Sequence, residues 1–248
     1  MDRAIVVVSR VFGVYMWRHK HAADPDWFER RMHLLQRITL PALSRVQTPL
    51  VWVWRAHRTK MDLVAAHLEK LDLHGIDVRL VNQNAVTRRD IWPGVDKFLT
   101  FRIDTDDAWL PSAIDDIVAK AYADRTLVDF PWGMTIDWYS GEMRHRKFSS
   151  HQGPFLAVTQ DRDLMLDTGG HHRKAREGRS VKHVHAISWI QVVHGGNAEN
   201  RLPPPPSKDV YEHEGPYANG APVDSEMRQR IIEASGIQLD SQPTGEMS

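Results

Sequence analysis

Apolar positions along the chain fall into short runs and helical stripes that alternate. Residues 4–8 (Ala-Ile-Val-Val-Val) are almost continuously apolar and β-branched, the pattern of a central parallel strand covered on both faces. Asp24 then caps a helix opening at Pro25, with Phe28, Met32, Leu35 and Ile38 on one face and an end expected near Pro41. Residues 50–54 read as a second strand. Met61, Val64, Leu68 and Leu71 recur at helical spacing before a stop at Gly75, and residues 76–81 give a third strand. A fourth strand is expected over 97–103, a helix over 111–122 through Ile114, Ile117 and Ala121, and a short strand over 126–130. Strand candidates at 134–139, 155–159 and 187–194 follow, separated by polar, glycine-bearing loops. Strands alternating with helices predict an α/β fold with right-handed crossovers and a mainly parallel central sheet. Ligands of such sheets gather beyond the carboxyl ends of the strands.

Composition narrows the function classes. With 248 residues, 42% hydrophobic and 26% charged, the chain can bury one substantial core. Lys plus Arg and Asp plus Glu are 32 each, so the broad positive field of a nucleic-acid coat is absent. There is no cysteine, which removes disulfides, thiolate zinc sites and cysteine nucleophiles and leaves histidine and carboxylate metal chemistry open. No apolar stretch approaches the roughly 20 residues that span a bilayer, and the start lacks a secretory pattern, so a cytoplasmic location is expected. Two segments stand apart. Within 171–185, Arg173, Lys174, Arg176, Arg179 and Lys182 face only Glu177, as in a solvated loop or one ordered by an anion. From 202 to 222 there are six prolines, four of them at 203–206, which describes an extended arm before a short helix at 224–235, capped by Asp224 and stopped by Gly236. The expected division is therefore a domain over 1–200 and a Pro-rich extension over 201–248.

The fourth strand runs directly into Asp104-Thr105-Asp106-Asp107. Three carboxylates within four residues repel one another, and burying them demands positive charge. A divalent metal is the simplest solution, and hard oxygen donors suit Mg²⁺ or Mn²⁺, which bridge readily to phosphate. Capping or turn-filling aspartates are the competing explanation. An EF-hand is disfavoured, because its sixth position would be Trp109 and its twelfth Asp115.

The segment Phe101-Arg102-Ile103-Asp104-Thr105-Asp106-Asp107-Ala108 resembles the Arg-hydrophobic-Asp-x-Asp-Asp motif of the rhamnosyltransferase family, nucleotide-sugar glycosyltransferases of the GT-A fold. Two further segments are similar to that family: the opening strand ending in Ser9-Arg10 with its helix and Gln47-Thr48, and Trp189-Ile190-Gln191-Val192-Val193-His194-Gly195-Gly196-Asn197. The likeness covers about residues 4–200. Val11-Phe12-Gly13 departs from the family's Arg-Phe-Asn opening, and Arg55 stands where many GT-A enzymes carry an acidic nucleotide contact.

The resemblance implies a metal-dependent transferase that moves a sugar, rhamnose by the family's name, from a nucleoside diphosphate sugar to a hydroxyl acceptor with inversion. The acceptor would be a glycan or small molecule, with modified nucleic acid less favoured. It further implies that Asp104 lies near the ribose or metal, that Asp106 and Asp107 supply the main ligands to Mn²⁺ or Mg²⁺, and that His194 completes the shell. Arg10 and Arg102 are candidate diphosphate contacts, since a guanidinium grips phosphate with two donors. Asp137, on an expected strand, is the first candidate for the base that deprotonates the acceptor, ahead of His151 and Asp161. Trp132, Trp138 and Tyr139 offer apolar faces to a sugar. A metal-dependent phosphohydrolase and a non-catalytic carbohydrate-binding or scaffold protein are the alternatives.

Overall fold

The structure, a computed structural model, describes residues 4–12, 25–82, 97–120, 122–148, 155–160, 180–194, 201–214 and 217–239. Asp24, His151, Asp161, residues 171–179 and Gly195-Gly196-Asn197 lie outside the described residues.

The continuous apolar run at the start becomes β1 (Ala4–Phe12), longer than its apolar core. It lies inside a seven-stranded sheet with β2 (Leu50–Ala56), β3 (Asp77–Asn82), β4 (Phe98–Ile103), β6 (Thr126–Asp129), β9 (Leu156–Gln160) and β10 (Ser180–His183), in the order β10-β6-β9-β4-β1-β2-β3. All neighbours are parallel except β9, which runs antiparallel to both β4 and β6. The class is mixed α/β with a mainly parallel sheet, as expected from the alternation of strands and helices. Burial on both faces of β1 explains its lack of polar alternation: Ile5 and Val7 join Trp52, Trp54, Leu99 and Phe101 in the main core, while Val6 and Val8 are equally buried on the opposite side.

The first helix differs from its expected end near Pro41. Helix α1 (Pro25–Leu34) passes through a π-helical turn, Leu35–Thr39, into α2 (Leu40–Ser44), with Pro41 in the first turn of α2. The missing N–H of proline costs nothing in a first turn, and the widened turn before it absorbs the break. Helix α3 (Met61–Leu68) ends earlier than its periodicity suggests, and so does α4 (Pro111–Ala119).

A second, four-stranded sheet stands in the order β5-β11-β7-β8, built from β5 (Ala108–Trp109), β7 (Trp132–Asp137), β8 (Met143–Lys147) and β11 (Trp189–Val193). Strands β7 and β11 are parallel and the other two pairs antiparallel. Strand β8 is absent from the sequence reading because four of its five residues are basic; period-two alternation is nevertheless present, with Met143 and His145 buried between partly exposed arginines. Strand β10 corrects the reading of 180–183 as part of a loop. Polar side chains are tolerated there because it is an edge strand, paired only with β6.

The described part of 201–239 lies against the domain. Pro203 O accepts from Arg144 Nη1 at 2.7 Å, and Ala221 and Gly220 bond both ways with the His145 backbone at 2.9 and 2.8 Å. After α5 (Lys208–Glu214) comes α6 (Ser225–Ser235), whose caps are those expected: Asp224 accepts from Met227 N at 2.7 Å, and Gly236 turns left-handed at φ 71°. Arg37 then holds the Gln238 and Leu239 carbonyls, both at 3.1 Å, and Ile237 is buried. No helix among the described residues is long and apolar enough to cross a membrane.

Candidate functional site

The two sheets meet where β4 ends. A turn closed by Asp107 N donating to Asp104 O at 3.3 Å carries the chain from β4 into the short β5, which pairs with β11 through Trp109 and Trp189. This pairing lays the acidic turn beside the end of β11. Asp106 and His194 are thus brought together across 88 positions of sequence, with His194 Nε2 3.0 Å from Asp106 Oδ2.

The second oxygen of Asp106 is held by a residue the sequence reading did not single out. Arg31 of α1 donates from Nη2 to Asp106 Oδ1 at 2.9 Å and from Nε to Thr105 Oγ1 at 2.7 Å, and its guanidinium lies 5.3 Å from the Trp27 ring centre. Thr105 and Asp106 are buried, and the Arg31 side chain is 15% exposed. A signal for Arg31 exists in the sequence. It falls beside Phe28, Met32 and Leu35 on the apolar side of α1, where a charge needs a buried partner.

The neighbouring carboxylates have different fates. Asp107 is buried and faces the β11 backbone, its Oδ1 accepting from Val192 N at 3.0 Å while Thr39 Oγ1 donates to its carbonyl at 2.7 Å. Asp104, half-buried, pairs with Arg102 at 3.4 Å. Arg10 stands opposite Arg55 in the β1–β2 register, and its side chain lies outside the described residues. Arg55 itself is buried.

Burial opposes ionisation of Asp106, but the Arg31 charge and the His194 hydrogen bond outweigh it, and the carboxyl is held below its ordinary range. Asp107 behaves oppositely: burial, then the charges of Asp106 and Asp104, push its carboxyl well above that range. A raised folded-state value means that the folded chain binds the proton more tightly than the unfolded chain, so this contribution to stability is present below the unfolded value and lost as pH rises through the folded one. Asp107→Asn keeps the shape and the acceptor for Val192 N without the charge. The variant is expected to be more stable than the parent at pH 8 and to lose part of the parent's decline between acid and neutral pH, read from urea midpoints across that range. A variant less stable at pH 8, with the same pH profile, would refute a proton-favouring Asp107.

These positions decide whether a divalent ion fits the residues expected to hold it. Both oxygens of Asp106 are occupied, Asp107 is aimed at a backbone N–H, and among the described residues no three His, Asp or Glu side chains come together so as to share a metal. The donor set does not fit a resident metal in this arrangement.

Beyond His194 opens a pocket of about 300 Å³ lined by Glu29, Arg30, His33, Leu34, Trp138, Tyr139 and His194. His33 packs edge-on to Trp138 with ring centres 6.2 Å apart, and Tyr139 is 65% exposed. Asp137 contributes through the turn below: its Oδ1 accepts from Tyr139 N at 3.1 Å, Ser140 N at 2.7 Å and Ser140 Oγ at 2.9 Å. Trp138 N donates to Val193 O at 2.9 Å, which ties that turn to the strand carrying His194. Trp132, on β7, stacks with Lys147 instead, its ring centre 4.6 Å from Nζ.

No protein-family model and no curated protein matches the chain. Similar solved structures include the 1-349 fragment of S. aureus TarS in complex with UDP, at 10% identity and a TM-score of 0.40 over 77% of this chain and 60% of that one. The inositol-1-phosphate CTP transferase from T. maritima aligns at 14% identity and a TM-score of 0.42, over 94% of this chain and 98% of its own. The 4-diphosphocytidyl-2C-methyl-D-erythritolsynthase from Anaerococcus prevotii follows at 14% identity and 0.38, over 95% and 96%.

Proposed function

We propose that the chain is a glycosyltransferase that moves a sugar from a nucleoside diphosphate sugar to a hydroxyl acceptor, with the donor diphosphate at the acidic turn and the acceptor in the pocket beside it. The observation that carries this reading is the contact of Asp106 with both Arg31 and His194 at the carboxyl ends of β4 and β11, opening through His194 onto a pocket with an exposed aromatic ring. Strand ends of a parallel sheet are where such ligands bind, and an aromatic face beside polar groups suits a sugar ring. The three segments that resemble the rhamnosyltransferase family include this turn and this strand, so a rhamnosyl donor heads the panel.

In the transfer the acceptor oxygen forms a bond to the anomeric carbon as the bond to the diphosphate oxygen breaks. Negative charge grows on the diphosphate, and the guanidiniums of Arg31 and Arg102 are positive groups held at the turn. The acceptor proton passes to a base, and the groups lining the pocket that can take it are Glu29, His33 and His194. Asp137 serves by holding the turn that presents Tyr139, a positioning role in place of the base first assigned to it. The phosphohydrolase reading requires a gathering of metal ligands that the described residues do not bring together.

The test is thermal stability against UDP-, GDP- and dTDP-sugars, each with and without Mn²⁺, since a ligand selective for the folded chain raises its Tm. One nucleotide class is expected to raise it and to compete with its own free diphosphate. No rise with any donor, in folded protein, would overturn the assignment.

A further inference from the structure

We propose that Arg31 occupies the cation position of the acidic turn, so that a divalent metal is excluded from Asp106 and the turn takes a nucleoside diphosphate without one. The identity of that anion rests on the function proposed above; the exclusion of the metal does not.

Three buried or half-buried carboxylates behind one strand require compensation, and the structure supplies it from the protein itself. Asp107 accepts the Val192 N–H at 3.0 Å, and Asp104 pairs with Arg102 at 3.4 Å. That leaves Asp106 at the centre, with the Arg31 guanidinium on one oxygen and His194 on the other. Three contacts fix Arg31: the Asp106 oxygen, the Thr105 hydroxyl and the Trp27 ring. A Mg²⁺ or Mn²⁺ ligated by Asp106 would sit about 2.1 Å from a carboxylate oxygen. That oxygen either lies 2.9 Å from the Arg31 guanidinium or already meets His194 at 3.0 Å. The ion would therefore share a buried carboxylate with a fixed like charge in a region where water screens poorly. To bind, it must first expel Arg31, break the Thr105 bond and leave the guanidinium beside Trp27 without its carboxylate. Buried guanidiniums are well suited to this standing role, because they do not lose their proton and are less strongly hydrated than a small cation.

The inference makes a prediction about metal affinity that needs no nucleotide. Mn²⁺ uptake by the full chain is followed through the loss of the free-ion electron paramagnetic signal, in the parent, in Arg31→Met, in Arg31→Lys and in the double variant Arg31→Met with Asp106→Asn. The parent and Arg31→Lys are expected to leave the free-ion signal intact. Arg31→Met is expected to take up one Mn²⁺ per chain and to lose that uptake when Asp106 is also replaced. Stoichiometric Mn²⁺ binding by the parent that disappears in Asp106→Asn would overturn the proposal, and so would a folded Arg31→Met that takes up none. If Arg31→Met does not fold, the parent measured beside Asp106→Asn decides.

Calorimetry with UDP, GDP and dTDP, in EDTA and in Mn²⁺, tests the second half. The same affinity in both media supports a turn that needs no metal, whereas a loss of about tenfold or more in EDTA overturns it. Failure of every nucleotide to bind would remove the transferase reading and the assignment of the anion, while the Mn²⁺ measurement would still decide the role of Arg31.

Discussion

Trp189→Ala is expected to lower the free energy of unfolding by about 3–5 kcal/mol, the range for deleting a buried Trp or Phe side chain. Trp189 has no exposed surface. Its ring stacks on Phe155 at 4.4 Å with planes 4° apart, its indole N–H donates to Phe130 O at 2.8 Å, and Phe148 lies 5.3 Å away. It also explains why residue 133 is glycine: an added Cβ there would come within 2.1 Å of the Trp189 ring. Removing the ring leaves a cavity, an unpaired carbonyl and a glycine packed against nothing. The consequence reaches the site, because β11 is the middle strand between β5 and β7 and ends next to His194. Urea unfolding measures the stability, and His194 proton resonances report whether the pair with Asp106 survives. A loss under about 1 kcal/mol, the ordinary effect of a point change, would show that this packing is not what secures the second sheet.

Much of the frame was legible because it is set by local pattern. The runs at residues 4–8 and 50–54 are apolar on both faces, which a covered central strand accommodates, so a mainly parallel sheet could be read from the sequence. The meeting of the acidic turn with His194 was expected from the resemblance carried by residues 101–108 and 189–197. Strands β8 and β10 were hidden by their polar composition: in β8 the inward positions are Met143 and a buried histidine, and β10 pairs with β6, His183 meeting Asp129 at 3.1 Å.

The orientation of each carboxylate was not legible, for a physical reason. Neighbours in a turn point in different directions, and nothing in Asp-Thr-Asp-Asp says which one will turn inward. Here the choice belongs to β11, whose Val192 N–H donates to Asp107 Oδ1 at 3.0 Å. The same holds for Asp137, whose Oδ1 accepts from Tyr139 and Ser140 of the turn that follows its strand. Arg31 was missed because composition offers many arginines; its place on the apolar side of α1 sets it apart, and the packing of α1 against the turn supplies its partner. Long-range pairing therefore carries the chemistry, while local pattern carries the scaffold.

The pairing of Arg31 with Asp106 gives the second large effect. Asp106→Asn and Arg31→Met are each expected to cost about 3–5 kcal/mol at neutral pH, because breaking a buried pair leaves an uncompensated charge. With Asp106 side-chain exposure at 5% and Arg31 at 15%, screening by water relieves little of that cost. In Asp106→Asn the guanidinium keeps Thr105 and Trp27 but loses its counter-charge, and His194 faces an amide. In Arg31→Met the carboxylate keeps His194 but loses the guanidinium charge, so its proton affinity rises and the penalty shrinks as pH falls. The double variant has neither charge, and its loss is expected to fall short of the sum of the singles by about 1–3 kcal/mol, the coupling of groups in direct contact. Urea titrations of the four proteins close the cycle. Additive losses would mean that the two groups do not interact across the turn in solution, and the acidic centre would then need its positive charge from another source.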